Sequence, residues 1–370
     1  MRASTLYLAS TPLTVLLAAA VARAQAAPST LVLIEDFADA PRWQRLLQAW
    51  RDNPFAGIEI VAGRATEARV GAGLAGRSPL ARWRRARAAR GLRHTALARL
   101  AALDAQLRPA RVYVGNDRRP ETQYALELAA RRQGRCGAYL DDGLFTYLGD
   151  AHQRPFARRW IDAPLKRLAW GRWWRSAEQA GTTHWIVESW LAWPPLARDR
   201  DPARVRHALP RAWCLDRAMA RLARGAAREF LGSGARPRHR LLLALPHTRV
   251  LGDAAPRLRE LVAALAARGT ACAVKYHPRE AAPDPAGLRA AGATLLPAGI
   301  ALELLAARMP RGAIVAGEAS TALAAARWLR PDLRVLDLGY SGHAFALRAR
   351  AFLAGIGVEA ASLDALAPKG

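Results

Sequence analysis

Leu6-Tyr7-Leu8-Ala9-Ser10-Thr11-Pro12-Leu13 is the stretch on which the reading of the fold turns. With Met1-Arg2 before it, the apolar run to Val21 behind it and Ala22-Arg23-Ala24-Gln25-Ala26 at its end, it imitates a cleavable signal peptide. The same residues also spell a short strand, a turn and a helix. Pro12 suits a first helical turn, where its missing N–H needs no partner. Leu31-Val32-Leu33-Ile34 then supplies a second apolar run of strand length. Parallel strands covered on both faces read as such unbroken apolar runs, so the stretch is read as the start of a β-α-β unit rather than as an export signal.

The rhythm continues outward. Gly57 to Val61, Val112 to Val114 and Cys136 to Leu140 read as strands, with helices predicted from Ser78 to Leu107 and from Glu121 to Gln133. A second series runs through strands at Leu241–Leu245, Ala271–Tyr276, Ala293–Leu296, Ala313–Ala316 and Arg334–Leu338. Helices are expected at Pro256–Arg268, Ala301–Arg308 and Ser320–Leu329. Between the two series lies Gly232-Ser-Gly-Ala-Arg-Pro-Arg-His-Arg240, of linker composition. The expectation is α/β throughout: two Rossmann-like domains, 1–235 and 236–370, facing each other across a cleft. The first carries a Trp/Arg-rich segment from Phe156 to Ala203, read as helical, with Trp160, Trp170, Trp173, Trp174, Trp185, Trp190 and Trp193 among Arg158, Arg159, Arg172 and Arg175.

The 370 residues carry 56 Lys and Arg against 30 Asp and Glu, a net charge of +26. Lys stands only at 166, 275 and 369, so the surplus is almost all Arg. The choice of Arg reads either as Arg-rich codon usage or as an electrostatic footprint; the surplus itself suits an anionic partner, whether lipid, acidic sugar or nucleic acid. Hydrophobic residues make up 52%, which excludes a disordered chain. Cys136, Cys214 and Cys272 show neither disulfide nor metal spacing, and a reducing cytoplasm suits them. No run of roughly 18 apolar residues is present to span a bilayer.

Gly71-Ala72-Gly73-Leu74-Ala75-Gly76 spells GxGxxG. A dinucleotide fingerprint needs a strand directly before it and an acidic residue about 20 positions on. The predicted strand ends at Val61 and no acid lies between Glu67 and Asp104, so a glycine loop is expected.

Three other constellations follow predicted strands, where open α/β sheets bind ligands. Asp141-Asp142-Gly143 offers paired carboxylates, one of which can act as general base toward a hydroxyl, although Asp-Gly is also a common turn. Lys275-Tyr276-His277-Pro278 offers an ammonium and an imidazole suited to a phosphate, or simply a loop with a solvated His. Gly317-Glu318-Ala319-Ser320-Thr321 opens a helix whose first N–H groups and dipole favour an anion.

In that order, an acidic-acidic-Gly triplet, His-Pro and a Ser-Ser/Thr pair resemble the motif set of bacterial sialyltransferases and polysialyltransferases. The opening Leu6–Leu13 and Val114-Gly115-Asn116-Asp117 with Glu121-Thr122-Gln123 are similar to the polysialyltransferase-like branch. The likeness runs from the first strand to about residue 340. It departs in carrying Ser320-Thr321 rather than two serines, which keeps both hydroxyls, and the Trp/Arg segment matches nothing in the family.

The resemblance implies a GT-B glycosyltransferase that moves sialic acid or a related nonulosonic acid from its CMP-activated donor to a sugar hydroxyl of a surface glycan (capsule or lipooligosaccharide), with inversion. Asp141, or Asp142 as second choice, would deprotonate the acceptor. His277 would stabilise or protonate the departing phosphate, aided by Lys275 and by Ser320 and Thr321. Gly143, Pro278 and Glu318 complete the donor side, with Glu318 on ribose hydroxyls. Ser10, Thr11, Asn116 and His247 line the acceptor side or cleft. With cationic groups for the one phosphate, no metal and no cofactor are expected. The Trp/Arg segment is read either as packing inside the first domain or as contact with an anionic membrane, for a cytoplasmic protein peripheral to the inner membrane. The rival readings are a GT-B transferase of another nucleotide sugar such as CMP-Kdo, and a non-catalytic glycan-binding or nucleic-acid-binding protein. No nucleic-acid motif is present, so nucleic acid is not the expected partner.

Overall fold

The computed structural model describes residues 4–366 except 38, 75, 77, 150–162, 178, 199–203, 233–238, 253, 279, 281 and 341–343. Contacts divide the chain into two units, Met1–Trp213 and Cys214–Gly370. The expected boundary at 235/236 lies outside the described residues.

The first unit holds a seven-stranded parallel sheet in the order β3-β2-β1-β4-β5-β6-β7. Its strands are β1 (Thr5–Ala9), β2 (Ser29–Glu35), β3 (Phe55–Ala62), β4 (Arg111–Val114), β5 (Gly137–Leu140), β6 (Ile186–Leu191) and β7 (Val205–Ala208). Helix α1 (Pro12–Gln25) connects β1 to β2, and Val15 to Ala22 along it are all buried. An all-round apolar helix belongs in a core, which is why this stretch imitates an export signal. Thr11 caps it, accepting from Thr14 N at 3.2 Å while the Thr14 hydroxyl accepts from Thr11 N at 3.1 Å.

Around the sheet run α2 (Ala40–Gln48), α3 (Arg64–Gly73), α4 (Pro79–Leu107), α5 (Pro120–Gln133), α6 (Leu144–Leu148) and α7 (Ala163–Trp170), and the division between the units falls within the short α8 (Arg211–Leu215). The expected glycine loop is corrected here: Gly71 and Gly73 form the last turn of α3. The Trp/Arg segment is corrected too. Within it α7 is helical but β6 is a strand, and Trp173, Trp174 and Trp185 are buried in the core with Leu6, Val112 and Leu126. Trp160, Arg158 and Arg159 lie outside the described residues. Each such large apolar side chain contributes about 1.5–3 kcal/mol by leaving water.

The second unit begins with α9 (Arg217–Leu231), capped by Asp216, which accepts from Met219 N at 2.8 Å. Its buried Met219, Leu222, Ala223, Ala226 and Phe230 follow helical spacing and put one face on the core. A six-stranded parallel sheet follows in the order β10-β9-β8-β11-β12-β13. The strands are β8 (Leu241–Ala244), β9 (Cys272–Lys275), β10 (Thr294–Leu296), β11 (Ile314–Gly317), β12 (Arg334–Asp337) and β13 (Glu359–Ala360). They alternate with α10 (Thr248–Leu251), α11 (Ala254–Ala267), α12 (Leu302–Ala306), α13 (Thr321–Leu329) and α14 (Ala344–Gly355). Gly317 allows β11 to close on β8, since a Cβ there would fall on the Ala244 carbonyl oxygen. Among the described residues no helix is long and apolar enough to cross a membrane.

Each sheet winds outward in both directions from a central pair, β1/β4 in one unit and β8/β11 in the other. Where the winding reverses, the loops leaving the two strands part and open a crevice at their carboxyl ends.

Candidate active site

In the first unit Ser10 and Thr11 follow β1, Asn116 follows β4 and Asp141-Asp142-Gly143 follows β5, so the residues expected at this edge do stand there. Gly115 is required because a Cβ would enter the Thr14 side chain, which lets the β4 loop lie against the start of α1. Asn116 then reaches the acidic pair, donating from Nδ2 to Asp142 Oδ2 at 3.3 Å. Gly143 turns the chain at φ 76°, a left-handed value that favours glycine.

The two carboxylates differ in surroundings. Asp141 is buried, and its oxygens accept from Gly143 N at 2.8 Å, Thr146 Oγ1 at 3.3 Å, Ala192 N at 2.9 Å and the Tyr147 hydroxyl. Those donors occupy the roughly four lone-pair positions of a carboxylate. Burial raises the Asp141 pKa against the pull of these hydrogen bonds. Asp142 is half-buried and stands beside Asn116. Asp141 therefore ties the β5 loop to the loop after β6, while Asp142 is held from the β4 loop by Asn116.

In the second unit His247 follows β8, His277 follows β9, and Ser320 and Thr321 follow β11. The rings of His247 and His277 lie edge to face with centroids 6.2 Å apart, both half-buried. His247 Nδ1 is 3.8 Å from Glu280 Oε2, and Glu280 N donates to the His277 carbonyl at 2.9 Å, so one loop holds both rings. Pro278 is half-buried beside them. Ser320 is the N-cap of α13, yet its hydroxyl makes no capping bond, and its oxygen is buried without a hydrogen-bond partner among the described residues.

Lys275 and Glu318 point elsewhere. Lys275 Nζ donates to the Ala298 carbonyl at 3.0 Å and to that of Tyr276 at 3.4 Å, bracing the next loop. Glu318 is buried and accepts from Arg350 Nη2 at 2.7 Å and from Tyr340 N at 2.9 Å. Burial raises its pKa while Arg350 lowers it. Arg350 also walls a cavity of about 540 Å³ lined by Asp337, Gly339, Leu353, Val358 and Ala361.

No family model matches the sequence, and no curated protein matches it. Solved structures do match by shape. Glycyrrhiza uralensis UGT73P12 complexed with glycyrrhetinic acid 3-O-monoglucuronide superposes with a TM-score of 0.51 at 12% identity, over 100% of this chain and 84% of that one. CalG4, the calicheamicin glycosyltransferase, gives 0.48 at 13% identity, over 99% and 87%. The GT-B domain of a sialyltransferase from Photobacterium damselae gives 0.48 at 11%, over 97% and 100%. The fold is of the GT-B type.

Two features of these edges escaped the sequence. Glu303, in the first turn of α12, is buried with its pKa raised by burial and lowered by the Lys275 charge. It is another buried carboxylate of this unit, beside the Lys275 charge. Its signal was an acidic residue inside Leu302–Ala306, an otherwise apolar run. Arg119 is buried between Asp36 and Glu121, with Nε 3.1 Å from Glu121 Oε2, and stiffens the loops after β2 and β4. Nothing in the local spacing joins Asp36 to Arg119.

Proposed function

We propose that the protein is an inverting glycosyltransferase that moves sialic acid, or a related nonulosonic acid, from its CMP ester to a sugar hydroxyl of a surface glycan. The observation that carries this reading is the pairing of the His247 and His277 rings after β8 and β9, at the same carboxyl edge of the second sheet as the α13 start after β11, whose Ser320 hydroxyl has no partner among the described residues. Two imidazoles, a hydroxyl donor and helix N–H groups suit one phosphate, and a CMP-sugar presents one phosphate.

In the reaction the carboxylate of Asp142 takes the proton of the acceptor hydroxyl, whose oxygen forms the new bond to the donor's anomeric carbon. The bond from that carbon to the phosphate oxygen breaks, and its electron pair leaves with CMP. His277 donates to the departing phosphate, with His247 and the α13 start supporting it. Asp141 fixes the loop that presents Asp142. The Lys275 ammonium acts at longer range, since its donors brace the Ala298 loop.

The test is nucleotide release from CMP-sialic acid, CMP-Kdo and UDP-sugars, with and without glycan acceptors. CMP release from the nonulosonic acid donor that rises with acceptor supports the reading. Release from UDP-sugars alone, or from no donor, overturns it.

A further inference from the structure

Helix α4 presents a surface that the reaction does not use. From Ser78 to Thr95 no residue of it is buried, whereas Ala96, Leu97, Leu100 and Leu103 further along pack into the core. The free half carries Arg82, Arg84, Arg85, Arg87, Arg90 and Arg93 and no acidic residue. Two of these are committed: Arg85 donates to the Leu74 and Gly76 carbonyls, at 3.0 and 2.8 Å, and Arg93 pairs with Glu67. Arg82, Arg84, Arg87 and Arg90 are exposed and have no carboxylate partner among the described residues. Like charges three and four positions apart repel along a helix, so this half is charged beyond what its own stability favours.

The same face is apolar at intervals. Leu80, Trp83, Arg84 and Arg87 recur at i, i+3, i+4 and i+7, on the side opposite Leu100. Leu80 and Trp83 are each 56% exposed, and the Arg87 guanidinium lies 5.4 Å from the Trp83 ring centroid.

We propose that this α4 face docks on an anionic lipid bilayer, with Leu80 and Trp83 entering the headgroup boundary and Arg84, Arg87 and Arg90 meeting lipid phosphate. Charge complementarity calls for an anion, and the exposed apolar side chains select a bilayer over a soluble polyanion, which would leave them in water. The contact thus lies on α4 rather than on the buried Trp173, Trp174 and Trp185. It is independent of the sugar donor.

The experiment is co-sedimentation of the full chain with vesicles of phosphatidylcholine alone or with phosphatidylglycerol. Binding is expected only to the anionic vesicles, falling steeply toward roughly 0.5 M salt as charges are screened. Leu80→Ser with Trp83→Ser should weaken it about tenfold or more, by removing buried apolar area. Arg84→Glu, Arg87→Glu and Arg90→Glu together should abolish it, with circular dichroism unchanged. Equal binding to both vesicles, binding to neither, or anionic binding indifferent to the Leu80 and Trp83 changes would each overturn the proposal. So would single-stranded DNA or polysialic acid displacing the protein from vesicles while binding the Leu80/Trp83 variant undiminished.

Discussion

His247 and His277 lie with ring centroids 6.2 Å apart because the strands before them are paired: Ala244 is in register with Lys275, and Leu245 N donates to the Lys275 carbonyl at 2.9 Å. Residues distant in the chain are thus brought to one point at the sheet edge. If His277 donates to the leaving phosphate, His277→Ala lowers kcat by roughly a hundredfold or more, the range of a positioned proton donor. His247→Ala, removing a supporting group, raises KM for the donor more than it lowers kcat. The two losses are expected to be non-additive, since the rings share one environment. Initial rates across donor concentrations check this, and unchanged kcat in His277→Ala would refute the role.

The adjacent carboxylates separate by a different pair of readouts. Asp142→Asn removes the proton acceptor while Asn116 keeps a partner, so transfer is lost and the melting temperature holds. Asp141→Asn replaces an acceptor-only group by one whose amide N–H₂ faces donors. The Ala192 N–H cannot reverse, and leaving one such group unpaired costs about 1–3 kcal/mol. That variant should melt earlier and lose activity with stability. Thermal melts beside rates decide it, and a fully stable but inactive Asp141→Asn would return the base to Asp141.

This division of labour marks where sequence reading stops. The strands β1, β2, β4, β5, β8, β9, β11 and β12 were legible because burial on both faces leaves runs such as Leu31–Ile34 unbroken. The edge strand β7 was not, since Val205 and Arg206 are exposed and break no pattern. Nor was β6, whose Trp190 sat among tryptophans read as helical. Helix α9 was missed: Met219, Leu222, Ala226 and Phe230 follow helical spacing, but the arginines between them veil it. At the site, position after a strand was legible for every motif. What each side chain is bonded to was not, because the partners (Ala192 for Asp141, Arg350 for Glu318) come from distant segments.

The leaving phosphate is met by side chains in this reading, so removal of divalent cations should not matter. Initial rates with excess EDTA are expected to equal those with magnesium. A rate that falls with EDTA and returns with one metal would show that His247, His277 and Ser320 do not suffice.

Cys136 and Cys272 are buried, and burial raises the thiol pKa of Cys214 and Cys272 to about 12. Only the thiolate reacts, and at pH 8 both are almost wholly protonated. Native protein should therefore react slowly with Ellman's reagent and release the full three equivalents only when unfolded. Rapid native reaction would contradict the packing of β9 and the start of the second unit.

Arg350 holds two carboxylates apart at the second sheet's edge: Nη2 is 2.7 Å from Glu318 Oε1 and Nε is 3.6 Å from Asp337 Oδ2. Asp337 in turn accepts from Ala319 N at 3.0 Å, just before the α13 start. Arg350→Ala leaves buried Glu318 beside Asp337 with no cation, a change that typically costs about 3–5 kcal/mol, toward the lower figure here because Arg350 is partly exposed. Burial already raises the Glu318 pKa, and losing Arg350 raises it further. A carboxyl whose folded pKa exceeds its unfolded one binds the proton more tightly when folded, so the penalty grows as pH rises through the unfolded value and fades as pH falls. The melting-temperature gap between Arg350→Ala and the native chain should thus be wide near neutral pH and narrow toward about pH 5. Glu318→Gln added to Arg350→Ala should flatten that dependence, because an amide has no proton to gain. A gap that stays constant across the range would mean Glu318 is not the group that Arg350 keeps ionised.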